Sequence, residues 1–304
     1  MANRLPKVIS IVLTWNSADF IEECLLSLQN SSFKTEILVI DNDSSDNTRE
    51  LIAKKFPGIE LINSGANLGY AGGNNLGIKH VLPKKPDYIF ILNPDAQVET
   101  SSIERMVDRM ETNQRLAAVS PMIYYHNTKK ILFAGSYINW RTGEAPHIGL
   151  DELDSGQYDN VTATERVNGC AMLLRTETLK SVGLMDERYF LYYEELDLSV
   201  RMKAAGFEMG IVPKAKVWHL KSLSTGGYFS PLSQYYQTRN RLLFMHKFRP
   251  HYKAFRLESY LLASRRVWTT FRRASPRQAV VLIGVLRKAY RDFSKQKFGK
   301  QEYS

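Results

Sequence analysis

Two apolar periods alternate along the first 121 positions of the chain. VISIVLT (8–14), EILVID (36–41), IELIN (59–63), YIFIL (88–92) and LAAVSP (116–121) are short, nearly continuous apolar runs, the pattern of strands buried on both faces. Between them, SADFIEECLLSLQN (17–30) places Phe20, Ile21, Cys24, Leu25 and Leu28 on one helical stripe. NTRELIAKKF (47–56), AGGNNLGIKHVL (71–82) and SSIERMVDRMET (101–112) read as further helices. The first of these follows the capping residues Asp43, Ser44 and Ser45 and stops at Pro57-Gly58. Strands alternating with helices predict an α/β domain with a mainly parallel central sheet and helices on both faces. Ligands of such sheets lie at the carboxyl ends of the strands. Thr14 to Asn16, Asp41 and Asn93-Pro94-Asp95 all sit at such ends.

The pattern loosens after residue 122. Short β-like pieces (131–138 and 166–174) flank a polar loop, 141–165. YYEELDLSVRMKAAG (192–206) reads as a helix ended by Gly206, and two short strands come next, 208–212 and 215–219. Beyond residue 228 only helical periodicity remains. The expected division is a domain over 1–228, with a nucleotide-binding half over 1–121 and an acceptor and catalytic half over 122–228. A helical extension occupies 229–304.

Charge sharpens this division. The net charge is +10, but residues 1–238 hold 24 basic against 28 acidic residues, whereas 239–304 hold 17 against 3. A mildly acidic catalytic body thus carries a basic, amphipathic appendage, which predicts docking on an anionic membrane surface; a helical extension that packs on the body or binds a protein partner is the alternative. Its expected apolar contacts are Leu242, Leu243, Phe244, Met245 and Phe248, then Leu257, Tyr260, Leu261, Val267, Trp268 and Phe271, then 280–286. No stretch approaches the roughly 20 apolar residues of a membrane span. The first apolar run, Val8 to Trp15, has no small-residue cleavage site after it and reads as a strand and not a signal peptide. The two cysteines, Cys24 and Cys170, offer no CxxC spacing and suit a reducing compartment. The expected location is cytoplasmic, at the inner face of the plasma membrane.

Five stretches carry candidate chemistry. In ILNPDAQV, proline keeps its predecessor extended, and residues two apart in extended chain point the same way. Asn93 and Asp95 thus offer two oxygens to one hard cation, Mg²⁺ or Mn²⁺, whose shell a diphosphate would complete; a plain turn is the alternative. In LVIDNDSSDNT, helix capping accounts for Ser44, Ser45 and Asp46, while Asp41 ends a buried strand and needs a donor to meet. NLGYAGGNNLG is not a dinucleotide fingerprint; its four glycines allow close backbone approach to a ligand, or simply form a loop. In DERYFLYYEELDLSVR, Glu194, Glu195 and Asp197 crowd a helix start, where the dipole favours acids, and Asp197 is spaced to pair with Arg201. The aromatic approach from Tyr189 to Tyr193 suggests a partly dry site, which raises a carboxylate toward a useful general base. VWHLKSLSTGG places His219 after a strand, where a structural histidine is the plainer alternative to a metal ligand.

Together SIVLTWN, LVIDNDSSDNT, NLGYAGGNN, ILNPDAQV, VNGCAMLLR, FLYYEELDLSVR and VWH, in that order over residues 7–225, resemble glycosyltransferase family 2, inverting enzymes of the GT-A fold. NLGYAGGNN, LNPD and FLYYEELDL look most like its rhamnosyltransferase branch. The resemblance implies that Thr14, Asn16 and Asp41 line the donor nucleotide's base, with Asp43, Asn67, Gly69, Gly73, Asn74 and Asn93 also on the nucleotide sugar. It implies that Asp95 and His219 hold Mn²⁺ or Mg²⁺, with Asn93 standing where the family has the first Asp of its metal motif. Glu195 falls at the catalytic Asp position, one methylene longer, so Glu194 and Asp197 stay candidates for the base. Asn168 and Gly169 would lie near the acceptor. The implied activity moves a sugar, with dTDP-rhamnose favoured over UDP-sugars, to a glycan or lipid-linked acceptor in cell-surface polysaccharide synthesis.

Two rivals remain. A sugar-1-phosphate nucleotidyltransferase would want a glycine-rich basic loop after the first strand, which TWNSAD does not supply. A catalytically inactive GT-A scaffold is opposed by the presence of Asp41, Asp95, Glu195 and His219. No motif for nucleic-acid base readout accompanies the basic tail, so nucleic acid is not an expected partner. The sequence carries no signal for an oligomeric state.

Overall fold

A computed structural model describes residues 4–220, 230–249, 252–273 and 276–301. The expected α/β domain is present. Strands β1 (Val8–Thr14), β2 (Glu36–Asp41), β3 (Glu60–Asn63) and β4 (Tyr88–Leu92) pair in parallel in the order β3-β2-β1-β4. Beyond β4 the sheet becomes mixed. The antiparallel β9 (Ala171–Arg175) lies beside β4, then β6 (Leu116–Tyr125), β10 (Glu208–His219) and the three-residue β5 (Ala96–Val98). The short β7 (Ile131–Phe133) and β8 (Ala163–Thr164) flank β6 and β10.

The alternation within the apolar runs explains why both faces are covered. Val8 and Val12 of β1, with Tyr88, Phe90 and Leu92 of β4, face a core shared with α1 (Ile21–Gln29), α2 (Thr48–Lys55) and α4 (Ser102–Thr112). Ile9 and Ile11, with Ile89 and Ile91, face the opposite core, shared with α3 (Gly69–Val81), α5 (Thr176–Val182) and α6 (Glu194–Ala204). Every residue of Tyr88 to Leu92 is buried, as a continuous run between two helix layers requires.

One expected boundary is absent. The strands expected at 208–212 and 215–219 are one strand, β10, whose register against β6 slips between Val212 and Lys216. Pro213 cannot donate to the ladder, and the irregularity lets the strand run past it. The expected boundary at 228 and the Ser/Thr/Gly stretch after Leu220 lie outside the described residues, as does the side chain of Phe271. The C-terminal helices are α7 (Pro231–Phe248), α8 (Tyr252–Arg273) and α9 (Pro276–Ser294). Leu242, Leu243, Phe244 and Met245, expected among the membrane contacts, are instead buried with Ile138, Tyr189, Leu196 and Val200. Burying them against the catalytic body removes far more apolar surface from water than a shallow interfacial position would. Among the described residues, no helix is long and apolar enough to cross a membrane.

Candidate active site

The carboxyl ends of β1 and β2 form one corner. Thr14 and Asp41 are register partners, and both are fully buried. One Asp41 oxygen accepts the Ser44 N–H at 3.0 Å and lies 3.7 Å from Arg49 Nε. The other oxygen, Oδ1, and the Thr14 hydroxyl are buried without a protein partner. Buried polar atoms are normally satisfied, so a corner with two orphans suits a ligand that donates and accepts. Asn16 has a left-handed backbone (φ 50°), and its side chain accepts the Ser45 N–H at 2.8 Å. Asp43, also left-handed, is exposed beside it. Asn42, which sequence reasoning passed over, ties this corner to the next turn. Its amide donates to Asn67 Oδ1 and the Gly69 carbonyl, and its oxygen accepts from Leu68 N–H.

The glycine-rich stretch divides by role. Gly69 has φ +72°, and a Cβ there would stand 2.3 Å from the Phe190 carbonyl oxygen. It lets the start of α3 touch the loop before α6, where Tyr70 N–H donates to Phe190 O at 2.7 Å. Gly73 abuts Leu13, where a Cβ would meet Leu13 Cδ1 at 2.3 Å, so its bare backbone allows close packing of α3 on β1. Asn74 is fully buried and donates to the Tyr70 carbonyl, and its oxygen lacks a protein partner. Asn75, unremarked in the sequence, exchanges two hydrogen bonds with the Met185 backbone.

Asp95 and His219 meet across β5 and β10. The antiparallel pairing sets His219 opposite Ala96, and His219 Nε2 lies 3.0 Å from Asp95 Oδ1. Both side chains are buried, and His219 Nδ1 has no hydrogen-bond partner. Asn93 fixes the loop through its N–H to the Cys170 carbonyl. Among the described residues, no group of three His, Cys, Asp or Glu side chains converges as a metal site. A carboxylate and an imidazole with a spare buried nitrogen nevertheless form a donor set that suits a divalent cation sharing its shell with a diphosphate.

The acids of α6 differ sharply from one another. Glu194 is buried, and burial together with the adjacent Glu195 pushes its carboxyl well above the usual range. Glu195 accepts from Arg166 Nη1 at 3.0 Å, and its second oxygen is buried without a partner. Asp197 does not fit a general base: its fully buried carboxylate holds Arg201 at 2.7 Å, Lys247 at 2.6 Å and the Tyr189 hydroxyl at 3.0 Å. With both oxygens engaged it serves as an ionic anchor, and the pairing with Arg201 at i,i+4 matches the sequence spacing.

Tyr70 joins the two halves. Its hydroxyl donates to the Gly169 carbonyl, and burial with the charges of Glu194, Glu195 and Cys170 pushes its phenol well up. Cys170 also neighbours His219. Asn168, whose N–H donates to Ser120 Oγ and whose side chain caps Cys170 N–H, holds that corner. Arg166 was missed in the sequence.

The sequence matches the profile of Glycosyl transferase family 2 over residues 10–176. It is 28% identical over 246 residues to the N-acetylglucosaminyl-diphospho-decaprenol L-rhamnosyltransferase of Mycobacterium tuberculosis, covering 74% of this chain and 79% of that protein. It is 25% identical to Rhamnosyltransferase WbbL of Escherichia coli, over 71% of this chain and 90% of that protein. Among solved structures, GalNAc-T7 with UDP, GalNAc and Mn²⁺ superposes with a TM-score of 0.66 at 16% identity, over 96% of this chain and 55% of that one. The mannosyltransferase PcManGT of Pyrobaculum calidifontis, with GDP-Man and Mn²⁺, superposes with a TM-score of 0.59 at 17% identity, over 97% of this chain and 84% of that one.

Proposed function

The chain belongs to glycosyl transferase family 2, and from that premise we propose an inverting sugar transfer from a nucleoside diphosphate sugar, dTDP-rhamnose before UDP-sugars, to a glycan or lipid-linked hydroxyl in polysaccharide synthesis. The observation that carries the reading is the convergence at one sheet end of three features. These are the orphaned Thr14 and Asp41 atoms, the Asp95–His219 pair and the Glu194–Glu195 carboxylates, with Tyr70 and Cys170 between them. The rhamnosyltransferase relatives support the choice of donor.

In this reading Asp41 Oδ1 accepts an imide N–H of the pyrimidine, with Thr14, Asn16 and Asp43 around the base. Asn67, Gly69, Asn74 and Asn93 shape the path of the sugar diphosphate. Asp95 and His219, with Asn93 beside them, would hold Mn²⁺ or Mg²⁺, which supplies Lewis-acid stabilisation of leaving-group charge when bound. Glu195, aligned by Arg166, takes the proton of the acceptor hydroxyl. The acceptor oxygen forms its bond to the anomeric carbon from the face opposite the diphosphate, the bond from that carbon to the phosphate oxygen breaks, and the nucleoside diphosphate leaves. One displacement inverts the centre. Asn168 and Gly169 border the acceptor. The enzyme works at the cytoplasmic face of the plasma membrane, held there by α8 and α9.

A screen of dTDP-rhamnose and UDP-sugars with Mn²⁺ or Mg²⁺, read as nucleotide release with and without acceptor, tests the reading. Release from dTDP-rhamnose above all others is expected. Release from no sugar nucleotide would overturn it.

A further inference from the structure

The turn that delivers the carboxylates of α6 is strained. Phe190, Tyr192 and Tyr193 have φ of 65°, 68° and 78°, and Tyr193 immediately precedes α6. A bulky aromatic residue in this region is sterically strained, so the turn persists only where its surroundings over-determine it. On one side the start of α3 supplies the Tyr70 N–H bond to Phe190 O. On the other lies α7, outside the span of the family match.

We propose that Arg239 and Asn240 of α7 are positioning residues for the transfer: they clamp this turn and so aim Glu194 and Glu195. The proposal rests on the assignment of those carboxylates made above. Both side chains are fully buried. Asn240 Nδ2 lies 2.9, 2.7 and 2.8 Å from the carbonyl oxygens of Tyr189, Leu191 and Tyr192. Arg239 Nη2 donates to the carbonyls of Arg188 and Tyr189 at 3.0 and 2.9 Å, and its Nη1 donates to Gly299 at 2.8 Å. Asn240 Oδ1 in turn accepts from Arg239 Nε and Nη2, so the two residues brace each other. The Arg239 guanidinium also lies 4.9 Å from the Tyr236 ring, on which Phe190 stacks.

The chemistry of the pair argues for more than packing. A buried guanidinium is costly to desolvate, and an apolar residue of similar volume usually stabilises a core as well or better. The pair instead contacts the carbonyls of residues 188, 189, 191 and 192, all within the one turn that needs holding. A turn that slackens displaces the base from the acceptor, and a misplacement of about 1 Å costs on the order of 100-fold in rate.

Asn240→Asp keeps the side chain's size and both bonds from Arg239, but loses the donors to the three carbonyls. Arg239→Lys keeps the charge and loses the fork. Each is made in the full-length chain and compared with wild type in three measurements: nucleotide affinity by calorimetry with dTDP and UDP, KM for the donor, and kcat. The expected result is nucleotide affinity within about twofold, donor KM within about threefold and kcat reduced roughly 30-fold or more in Asn240→Asp, with a smaller loss in Arg239→Lys. A kcat within about threefold of wild type in both variants overturns the clamp. Loss of nucleotide affinity in parallel with kcat also overturns it, by making the pair purely structural. Wild type that turns over no sugar nucleotide would instead sink the functional reading itself.

Discussion

His219 Nε2 stands 3.0 Å from Asp95 Oδ1, across 124 positions of sequence. Neither residue reaches the other by local structure. The three-residue β5 exists because β10 pairs with it, and that pairing closes the gap. An aspartate at one strand end therefore finds a nitrogen donor from the last strand of the domain.

Removing Asp95 should uncouple nucleotide binding from metal. Calorimetry with dTDP should show wild type binding more tightly when Mn²⁺ is added, and Asp95→Ala losing that gain. Loss of a group that merely hydrogen-bonds to a metal ligand costs about 10- to 100-fold in metal affinity, so loss of the ligand itself should cost at least as much. His219→Ala should give the same sign. Wild-type transfer that a chelator leaves untouched would exclude the cation.

The acids of α6 should separate by what fails. Glu195→Gln should retain nucleotide affinity and melting temperature while kcat falls by about 10²–10⁴-fold, the range of general-base catalysis. Asp197→Asn should fail differently, because it leaves Lys247 and Arg201 beside a neutral amide. Breaking a buried pair costs about 3–5 kcal/mol, read as a lowered denaturation midpoint. Full activity in Glu195→Gln would move the base to Glu194.

Which of these features were legible in the sequence depends on the range of the forces involved. Tyr88 to Leu92 and the strands before it announced themselves because both their faces are apolar. Asp41 and Asp95 could be found because strand ends are local features. Gly73 was ambiguous: a glycine beside a ligand and a glycine beside Leu13 look alike until α3 is laid on β1. Asp197 and Glu195 sit two residues apart, and only the arrival of Lys247 from α7 shows that the Asp197 carboxylate is already engaged. Arg239 counted as one more positive charge in a basic tail, whereas it is wholly buried against carbonyls. The excess charge thus described composition correctly and, for α7, placement wrongly.

Acid should destabilise the fold partly through His147. Burial, together with the nearby Arg166, lowers this imidazole to about 3, although its Nδ1 bonds to the Leu132 carbonyl at 2.8 Å. The unfolded chain protonates it near its ordinary value of about 6.5. Its contribution is therefore complete above about pH 6.5 and is lost as pH falls toward 3. The slope is at most about 1.4 kcal/mol per pH unit. His147→Asn, which keeps a donor near the Nδ1 position and cannot titrate, should flatten the plot of unfolding free energy against pH between about 6.5 and 4. An unchanged slope would assign acid sensitivity elsewhere.

Helices α8 and α9 should bind anionic membrane, and the surface that does so is narrower than the charge count implies. With Leu242 to Met245 consumed by the core, the exposed large apolar residues among those described are Leu257, Tyr260, Leu261 and Trp268 on α8 and Val280 and Val281 on α9, at 66, 40, 58, 61, 67 and 49% exposure. Leu257, Leu261 and Trp268 are spaced by four and seven, which sets them along one helical face. Exposed Arg256, Arg272, Arg277 and Arg287 accompany them. Each cation near an anionic leaflet contributes about 1 kcal/mol, and the apolar stripe adds interfacial burial without a span. Wild type should sediment with phosphatidylglycerol vesicles at low salt and be released as salt screens the charges. Leu261→Glu with Trp268→Glu should abolish sedimentation while leaving transfer to a soluble acceptor within about twofold, because both side chains are exposed on α8, far in sequence from Glu194 and Glu195. Sedimentation unaffected by the double substitution, or no sedimentation by wild type, would reject the membrane and leave this face for a protein partner.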